Sequence, residues 1–471
     1  MHPDDTLKKD LKLRHMELIS LGGIIGSAFF IGTGYAVSQA GPAILISYAL
    51  GGLIVFLVML CLCELTVAMP TSNSFIQYTH DYISPTWACG TGWSYWLNWV
   101  AYIPAECTAG GIIMHTFIPA VSPFIWALLF GLVITIINLS KVKIFGELEF
   151  WLSMIKIAAI VIFAIIAVFI FFGLYTKTGI KPIIGTKNLL GDGGFFPKGH
   201  FIIITMMVIL LVNFQGSEIV CLAAAECQNT DVAIPRASRN IAIRIVLLYL
   251  IPVFLLVLIY PWNKMSDSNS VFVDALQSYG FNWAAGVFSF VVLSAAFSCA
   301  NSGMYATVRA LYGLSRQNLA PKVFSSLNRH QVPMPAAIFT LIGIWLFLIL
   351  SYFFSASTAF AYLLSISGFT GAICWISICW AQYNYRKRCK REKKIPNHKF
   401  KTPFFPVVPL LGIWLQVACL IFLLFNNELR PTFYFGVPVV ILPMVIYWLW
   451  QKRKSPPSDT LTPKGFSTPA S

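Results

Sequence analysis

Runs of about twenty apolar residues, each long enough to cross the hydrocarbon core of a bilayer as a helix, recur along the whole of this 471-residue chain. A water-soluble fold could not hide them. Hydrophobic residues make up 57% of the sequence and charged residues 11%, against about 25% charged in soluble domains. Too few charges exist to cover the outside of a soluble domain this large. The expected architecture is therefore an all-α polytopic membrane protein. About twelve transmembrane helices are expected, at 16–40, 42–69, 87–117, 124–140, 147–174, 200–226, 241–261, 283–313, 335–354, 358–381, 409–426 and 432–450.

The net charge of +15 would suit a nucleic-acid partner, but its placement argues for a bilayer instead. Lys and Arg gather between the apolar runs, chiefly in Lys8–Arg14, Arg309–Arg329, Arg386–Lys401 and Lys452–Lys454. With an even number of spans these segments fall on one side, together with the 140–146 loop and the 226–244 segment. The positive-inside rule makes that side the cytoplasm, so both termini are expected there and the chain in the cytoplasmic (inner) membrane. Two loops run against the trend: 175–199 carries Lys177, Lys181, Lys187 and Lys198 on the outer side, and the inner 70–86 loop has no Lys or Arg. The 386–401 segment could touch anionic lipid heads or serve only as a solvated topology signal. The first apolar run lacks a small-residue cleavage site in the usual place and reads as a retained helix. The eleven cysteines show no metal spacing, and Cys61 and Cys63 read as small buried hydrophobes. No Walker loop, no His/Cys/Asp metal set and no Ser-His-Asp set can be assembled, so neither a cofactor, direct ATP drive nor an enzyme is expected.

Two of the apolar runs are interrupted. The first carries Gly22, Gly23, Gly26, Gly32 and Gly34; the sixth carries Asn213, Phe214, Gln215, Gly216, Ser217 and Glu218 in mid-run. Each interruption opens a group of five spans, which is the footprint of a five-plus-five inverted repeat with a discontinuous first helix in each half. The expected organisation is a cytoplasmic segment 1–15, a first repeat 16–174, a second repeat 200–381, a basic cytoplasmic loop 382–408, peripheral spans eleven and twelve over 409–451, and a disordered Ser/Pro/Thr-rich tail 452–471. Unwinding at Ile24–Ala28 would free carbonyls on one side and amides on the other. These cannot stay unpaired in hydrocarbon, and a zwitterionic ligand satisfies both sets. Close helix packing through small residues is the alternative reading of the glycines.

Buried ionisable residues sharpen that choice. Glu218 is an intramembrane carboxylate and so a functional candidate, or else a structural bond to a neighbouring helix. Phe214 could pack or lie over a ligand. Lys156 sits too deep in the fifth span for easy snorkelling and is read as pointing inward, where it can gain and lose a proton. Glu106, deep in the third span, could bind substrate, carry a proton or pair with Lys156. Glu64 reads as an inter-helix tie to a basic residue. Ser294, Ser298, Asn301 and Ser302 share one face of the eighth span. Trp93, Tyr95, Trp96, Trp99 and Tyr102 read as an interfacial belt or packing.

Six strings in order resemble the amino acid–polyamine–organocation superfamily, and within it the bacterial amino acid permeases. They are Leu11 to His15 with Leu18 to Gly26; Gly41, Pro42, Ala43 with Cys63, Glu64, Leu65; Thr91 to Trp99; Phe145 to Trp151 with Lys156; Phe214 to Glu218 with Ala225, Glu226 and Ala233 to Pro235; and Asn301 to Tyr305 with Arg309 and Ala320 to Lys322. The resemblance implies a LeuT-like fold with substrate held between the unwound centres of spans one and six. It implies that Ser27 and Ala28 offer amides to a substrate carboxylate, and that Ile24, Val212 and Gln215 offer carbonyls to its ammonium, with Gly26, Phe214, Gly216 and Glu218 completing the site. Lys156 matches a family lysine that stands where sodium sits in sodium-coupled relatives, which implies proton symport, with Glu106 and Glu218 as further proton-coupling candidates. Gly26-Ser27-Ala28 departs from the usual Gly-x-Gly, Ser72-Asn73-Ser74 from Ser-Gly-Ser, and Val212 stands where some relatives have a gating tryptophan. The expected function is proton-coupled amino acid uptake by alternating access. An exchanger without net ion coupling and a non-transporting sensor are the alternatives.

Overall fold

The computed structural model describes residues 25–69, 74–139, 145–173, 185–222, 240, 243, 245–265, 270–328, 332–393, 400–427 and 429–454. The expected segment 1–15, Gly22, Gly23, Ile24, Glu226 and the tail beyond Lys454 lie outside the described residues. Those described are all-helical, with no strand among them. The helices used below are α1 (Thr33–Ala40), α2 (Ile44–Ala68), α3 (Ser74–Tyr82), α4 (Pro85–Phe117), α5 (Pro123–Leu139), α6 (Phe145–Phe171), α7 (Ile202–Val212), α8 (Ile219–Leu222), α9 (Ile251–Ile259), α10 (Asn282–Arg316), α11 (Met334–Leu350), α12 (Ala356–Arg391), α13 (Val407–Phe422) and α14 (Arg430–Lys454). Short helices Gly185–Leu190 and Val271–Ser278 lie between them.

Among the described residues, seven helical stretches are long and apolar enough to cross a membrane, and three shorter apolar helices, Pro123–Asn138, Ile202–Val212 and Val246–Ile259, stand beside them. The first stretch, Ala28–Ala68, turns a corner at Gly41 and Pro42. Gly41 has φ +65°, and a Cβ there would run into the ring of Pro197, so glycine is required on both counts. At the other end of the scale, α4 starts cleanly: the Ser84 hydroxyl accepts from Trp87 N at 3.1 Å and Pro85 occupies the first turn.

α4 is the hub of the molecule, packed along α12, α10, α5, α14, α11 and α3. α6 packs on α10 and α9, and α7 on α12, α2 and α13. The grading from hub to rim is steep: 83% of the apolar window of α12 is buried, against 17% for α14. α6 shows how one helix serves both solvents. Lys156, Ile160, Phe163, Ala167 and Ile170 are buried, while Trp151, Met154, Val161, Ile162 and Ile165 are exposed. The buried set repeats at helical spacing, so the lysine lies on the protein-facing side, as its depth in the sequence led one to expect.

Two expected connections are partly helical. α12 continues past 381 to Arg391, and α3 occupies much of the 70–86 loop. The first extension has a physical reason. Arg386 forms an ion pair with Glu64 of α2, whose other oxygen accepts from Gln382 Nε2 at 2.8 Å and Thr402 N at 2.9 Å. Glu64 is fully buried, so α12 must run on far enough to deliver Gln382 and Arg386, one turn apart, to it. This is the inter-helix tie expected of Glu64.

Candidate functional site

The described chain enters the helical stretch before α1 from two non-helical residues, a point called the first break below. Ile25 and Gly26 are not helical, Ser27 caps a wide π-helical turn over Ala28–Gly32, and α1 follows. A helix start leaves amides without intrahelical partners. Here the Ser27 amide donates to both oxygens of Glu106, at 3.2 and 3.0 Å. On the other side of Gly26, the Ile25 carbonyl accepts from Lys156 Nζ at 3.0 Å, and the same ammonium donates to Ser298 Oγ at 2.9 Å. A carboxyl group from α4 and an amine from α6 therefore meet opposite backbone groups two residues apart. Gly26 makes this possible: a Cβ there would collide with Glu106 Oε1 and the Tyr102 hydroxyl and lie 3.2 Å from Cys299 Sγ.

The second break separates α7 from α8. Residues 213–218 form turns, with Gly216 at φ +95°, a conformation that disfavours any side chain. Val212 O accepts from Gln215 N at 3.1 Å. Glu218 accepts from Gly216 N with both oxygens at 3.2 and 3.1 Å, from Tyr95 Oη at 3.3 Å and from Trp375 Nε1 at 3.3 Å. Gln215 is held by Ser367 of α12: its Nε2 donates to the Ser367 carbonyl at 3.3 Å and its Oε1 accepts from the Ser367 hydroxyl at 3.1 Å. That hydroxyl also reaches Asn98 of α4. Asn213 Nδ2 donates to Tyr48 Oη at 3.0 Å, and Tyr48 Oη meets Thr33 Oγ1 of α1 at 2.5 Å.

The two breaks are joined twice. Tyr249 packs against Phe29 on one side (ring centroids 4.9 Å) and Phe214 on the other (5.0 Å). On α4, Tyr95, Trp99, Tyr102 and Glu106 recur at i, i+4, i+7 and i+11, one helical face. Tyr95 touches Glu218 at one end of this stripe, and Glu106 touches Ser27 at the other. Of the two readings, interfacial belt or packing, Tyr95, Trp99 and Tyr102 take the second, being buried. Trp93 and Trp96 are half-buried against Phe339. The register shared with Glu106 is the signal that separates the two groups.

The structure brings Gly26, Ser27, Ala28, Lys156 and Glu106 together at the first break, and gathers Val212, Phe214, Gln215, Gly216 and Glu218 at the second. All of these side chains are buried. The carbonyl that meets Lys156 belongs to Ile25, a residue the sequence did not single out. Nor did it single out Asn98, Ser367 and Trp375. The serine face of α10 divides: Ser298 meets Lys156, Asn301 Oδ1 accepts from Asn138 Nδ2 at 2.9 Å, Ser294 bonds its own helix, and the buried Ser302 hydroxyl has no hydrogen-bond partner among the described residues. No group of His, Cys, Asp and Glu among the described residues could hold a metal ion.

Comparison with known proteins matches residues 15–458 to the family model described as Amino acid permease. Among relatives in Bacillus subtilis (strain 168), the Amino-acid permease RocC is 37% identical over 452 residues, covering 96% of both chains. The Amino-acid permease RocE is likewise 37% identical over 452 residues, 96% of each chain. The Gamma-aminobutyric acid permease is 36% identical over 450 residues, 95% of this chain and 94% of its own.

Proposed function

Because the chain belongs to the amino acid permease family, and so is a membrane transporter of amino acids rather than an enzyme, we propose that it imports amino acids across the cytoplasmic membrane by proton-coupled alternating access. It does so with twelve spans in a LeuT-like five-plus-five repeat and both termini in the cytoplasm. The observation that carries this reading is the pair of charges at the first break, Glu106 on the Ser27 amide and Lys156 on the Ile25 carbonyl.

Substrate lies between the two breaks. Its carboxylate takes the amides of Ser27 and Ala28, and its ammonium takes carbonyls of Ile24, Val212 and Gln215, with Gly26 and Gly216 leaving room for close approach and the Phe214 ring lying over the ligand. The names of the relatives fit a ligand carrying both an ammonium and a carboxylate. Lys156 supplies the coupling. Protonated, it makes a charge-assisted bond to the Ile25 carbonyl; when the proton leaves, that bond weakens to a neutral one and the first break is freed to move. Glu106 shares this role through its contact with the same turn. The expected role of Glu218 shifts. Four hydrogen bonds from fixed donors surround its carboxylate, so we assign it to holding the second break open rather than to carrying the proton.

Reconstitution of the purified chain into liposomes tests the function. With the interior made alkaline, labelled amino acid accumulates above its external concentration in wild type, and Lys156→Ala abolishes that accumulation. Wild-type uptake that ignores the pH gradient and needs amino acid inside the vesicle would make the protein an exchanger; gradient-driven uptake by Lys156→Ala would remove the lysine from the mechanism.

A further inference from the structure

The Ser27 amide, where the proposed function places the substrate carboxylate, already holds a carboxylate. We propose that Glu106 is a tethered stand-in for that group: it occupies the Ser27 amide in the ligand-free protein, and a substrate binds by displacing it. The inference rests on the site reading above and adds a condition on which ligands can enter.

Geometry makes the two carboxylates mutually exclusive. Both Glu106 oxygens lie within 3.2 Å of Ser27 N, and Glu106 is 2% exposed. A second carboxylate on the same amide would sit against the first in a poorly screened interior, where like charges repel strongly. Exchange is feasible because the bond is made across helices. Glu106 reaches over from α4 on a flexible side chain, two residues after Pro104, which interrupts the hydrogen-bond ladder of α4. A second donor can keep hold of the released carboxylate, since the Tyr102 hydroxyl already faces Glu106 and the two converge on the same point over Gly26. Beside them the buried Ser27 hydroxyl also faces Glu106, a polar group that an incoming carboxylate would meet in its place. Glu218 offers no such exchange, being bonded to its own loop and to two buried rings. The consequence is selectivity. An amine without a carboxylate cannot replace Glu106 on Ser27, whereas an amino acid can.

Acetate is the probe. In Glu106→Ala of the full chain, sodium acetate at tens of millimolar should raise the thermal midpoint by a few degrees over sodium chloride at equal ionic strength. Acetamide should not, and wild type should not respond to acetate. Adding Ser27→Pro removes the amide hydrogen at a residue whose φ of −63° already suits proline; the acetate response should then vanish. The proposal is overturned if Glu106→Ala unfolds cooperatively with no acetate response, if wild type responds equally, or if the response survives Ser27→Pro. Glu106→Ser gives the same reading should the alanine variant not fold. A panel of the common L-amino acids in the same assay separates the two levels. An amino acid that stabilises wild type and requires the Ser27 amide, without any acetate effect in Glu106→Ala, sinks the stand-in alone. Amino acid binding indifferent to Ser27→Pro sinks the site reading beneath it.

Discussion

Each of the two helix breaks presents its loose amide to a buried glutamate, but the glutamates come from different places. At the second break Glu218 is the residue two positions after the amide it accepts from, and Tyr95 and Trp375 complete its shell. At the first break Glu106 arrives from α4, 79 residues away in sequence, and Lys156 arrives from α6 to take the carbonyl on the other side. A carboxylate bonded to the amide of its own loop keeps that bond when neighbouring helices shift, even though Tyr95 and Trp375 also reach it. A break closed by side chains borrowed from two other helices changes when those helices move or when either charge is neutralised. The difference assigns rigidity to the second break and response to the first.

The sharpest way to break this comparison is Glu218→Ala. It orphans the Gly216 amide, the Tyr95 hydroxyl and the Trp375 indole N–H, and each stranded buried donor costs about 1–3 kcal/mol. The variant should lose most of its folded yield in chemical or thermal unfolding of the purified protein; near-wild-type stability would show that the carboxylate holds nothing. Next comes Gly216→Ala, which forces a Cβ into the left-handed region for about 1–2 kcal/mol and should lower the unfolding midpoint more than it changes affinity in the folded fraction. Gly26→Ala should do the reverse. Its Cβ meets Glu106 Oε1 and the Tyr102 hydroxyl, so amino acid affinity should change about tenfold, or ~1.4 kcal/mol, by isothermal titration. Equal effects of the two glycine variants on affinity would erase the distinction. The smallest effect belongs to Ser302→Ala, which removes a hydroxyl without a hydrogen-bond partner among the described residues; stability should stay within about 0.5 kcal/mol and transport should be unchanged.

Much of this was legible in the chain. A polar run such as Asn213 to Glu218 inside an apolar helix has no plain lipid-facing solution, so the second break announces itself. Lys156 lies too deep in its span for easy snorkelling, which favoured an inward direction over the interface. Glu64 lies nearer the inner end of its span, within reach of a cytoplasmic basic residue. What stayed hidden were pairings that depend on how distant helices meet: Asn98 with Ser367, 269 residues apart, or Trp375 with Glu218, 157 apart. The aromatic stripe of α4 stayed open between belt and packing because tryptophan and tyrosine look the same in composition whether they sit at a membrane interface or in a protein interior; only their register with Glu106 tells them apart. The extension of α12 was hidden likewise, since Arg386 resembles a topology signal until Glu64 is seen beneath it.

One paired measurement bears directly on the division between the breaks: Glu106→Gln and Glu218→Gln, purified side by side, each assayed for thermal midpoint and amino acid affinity. Around Glu218 two groups that only donate, the Gly216 amide and the Trp375 indole, must share the single oxygen of a glutamine, whose N–H₂ reverses the Tyr95 bond; at Glu106 that oxygen serves the Ser27 amide while the N–H₂ turns to the Tyr102 oxygen. The account predicts a large loss of midpoint with little change in affinity for Glu218→Gln, and a nearly unchanged midpoint with a shift of about tenfold in affinity for Glu106→Gln. The opposite pattern, with Glu106→Gln unstable and Glu218→Gln altered only in binding, would contradict it.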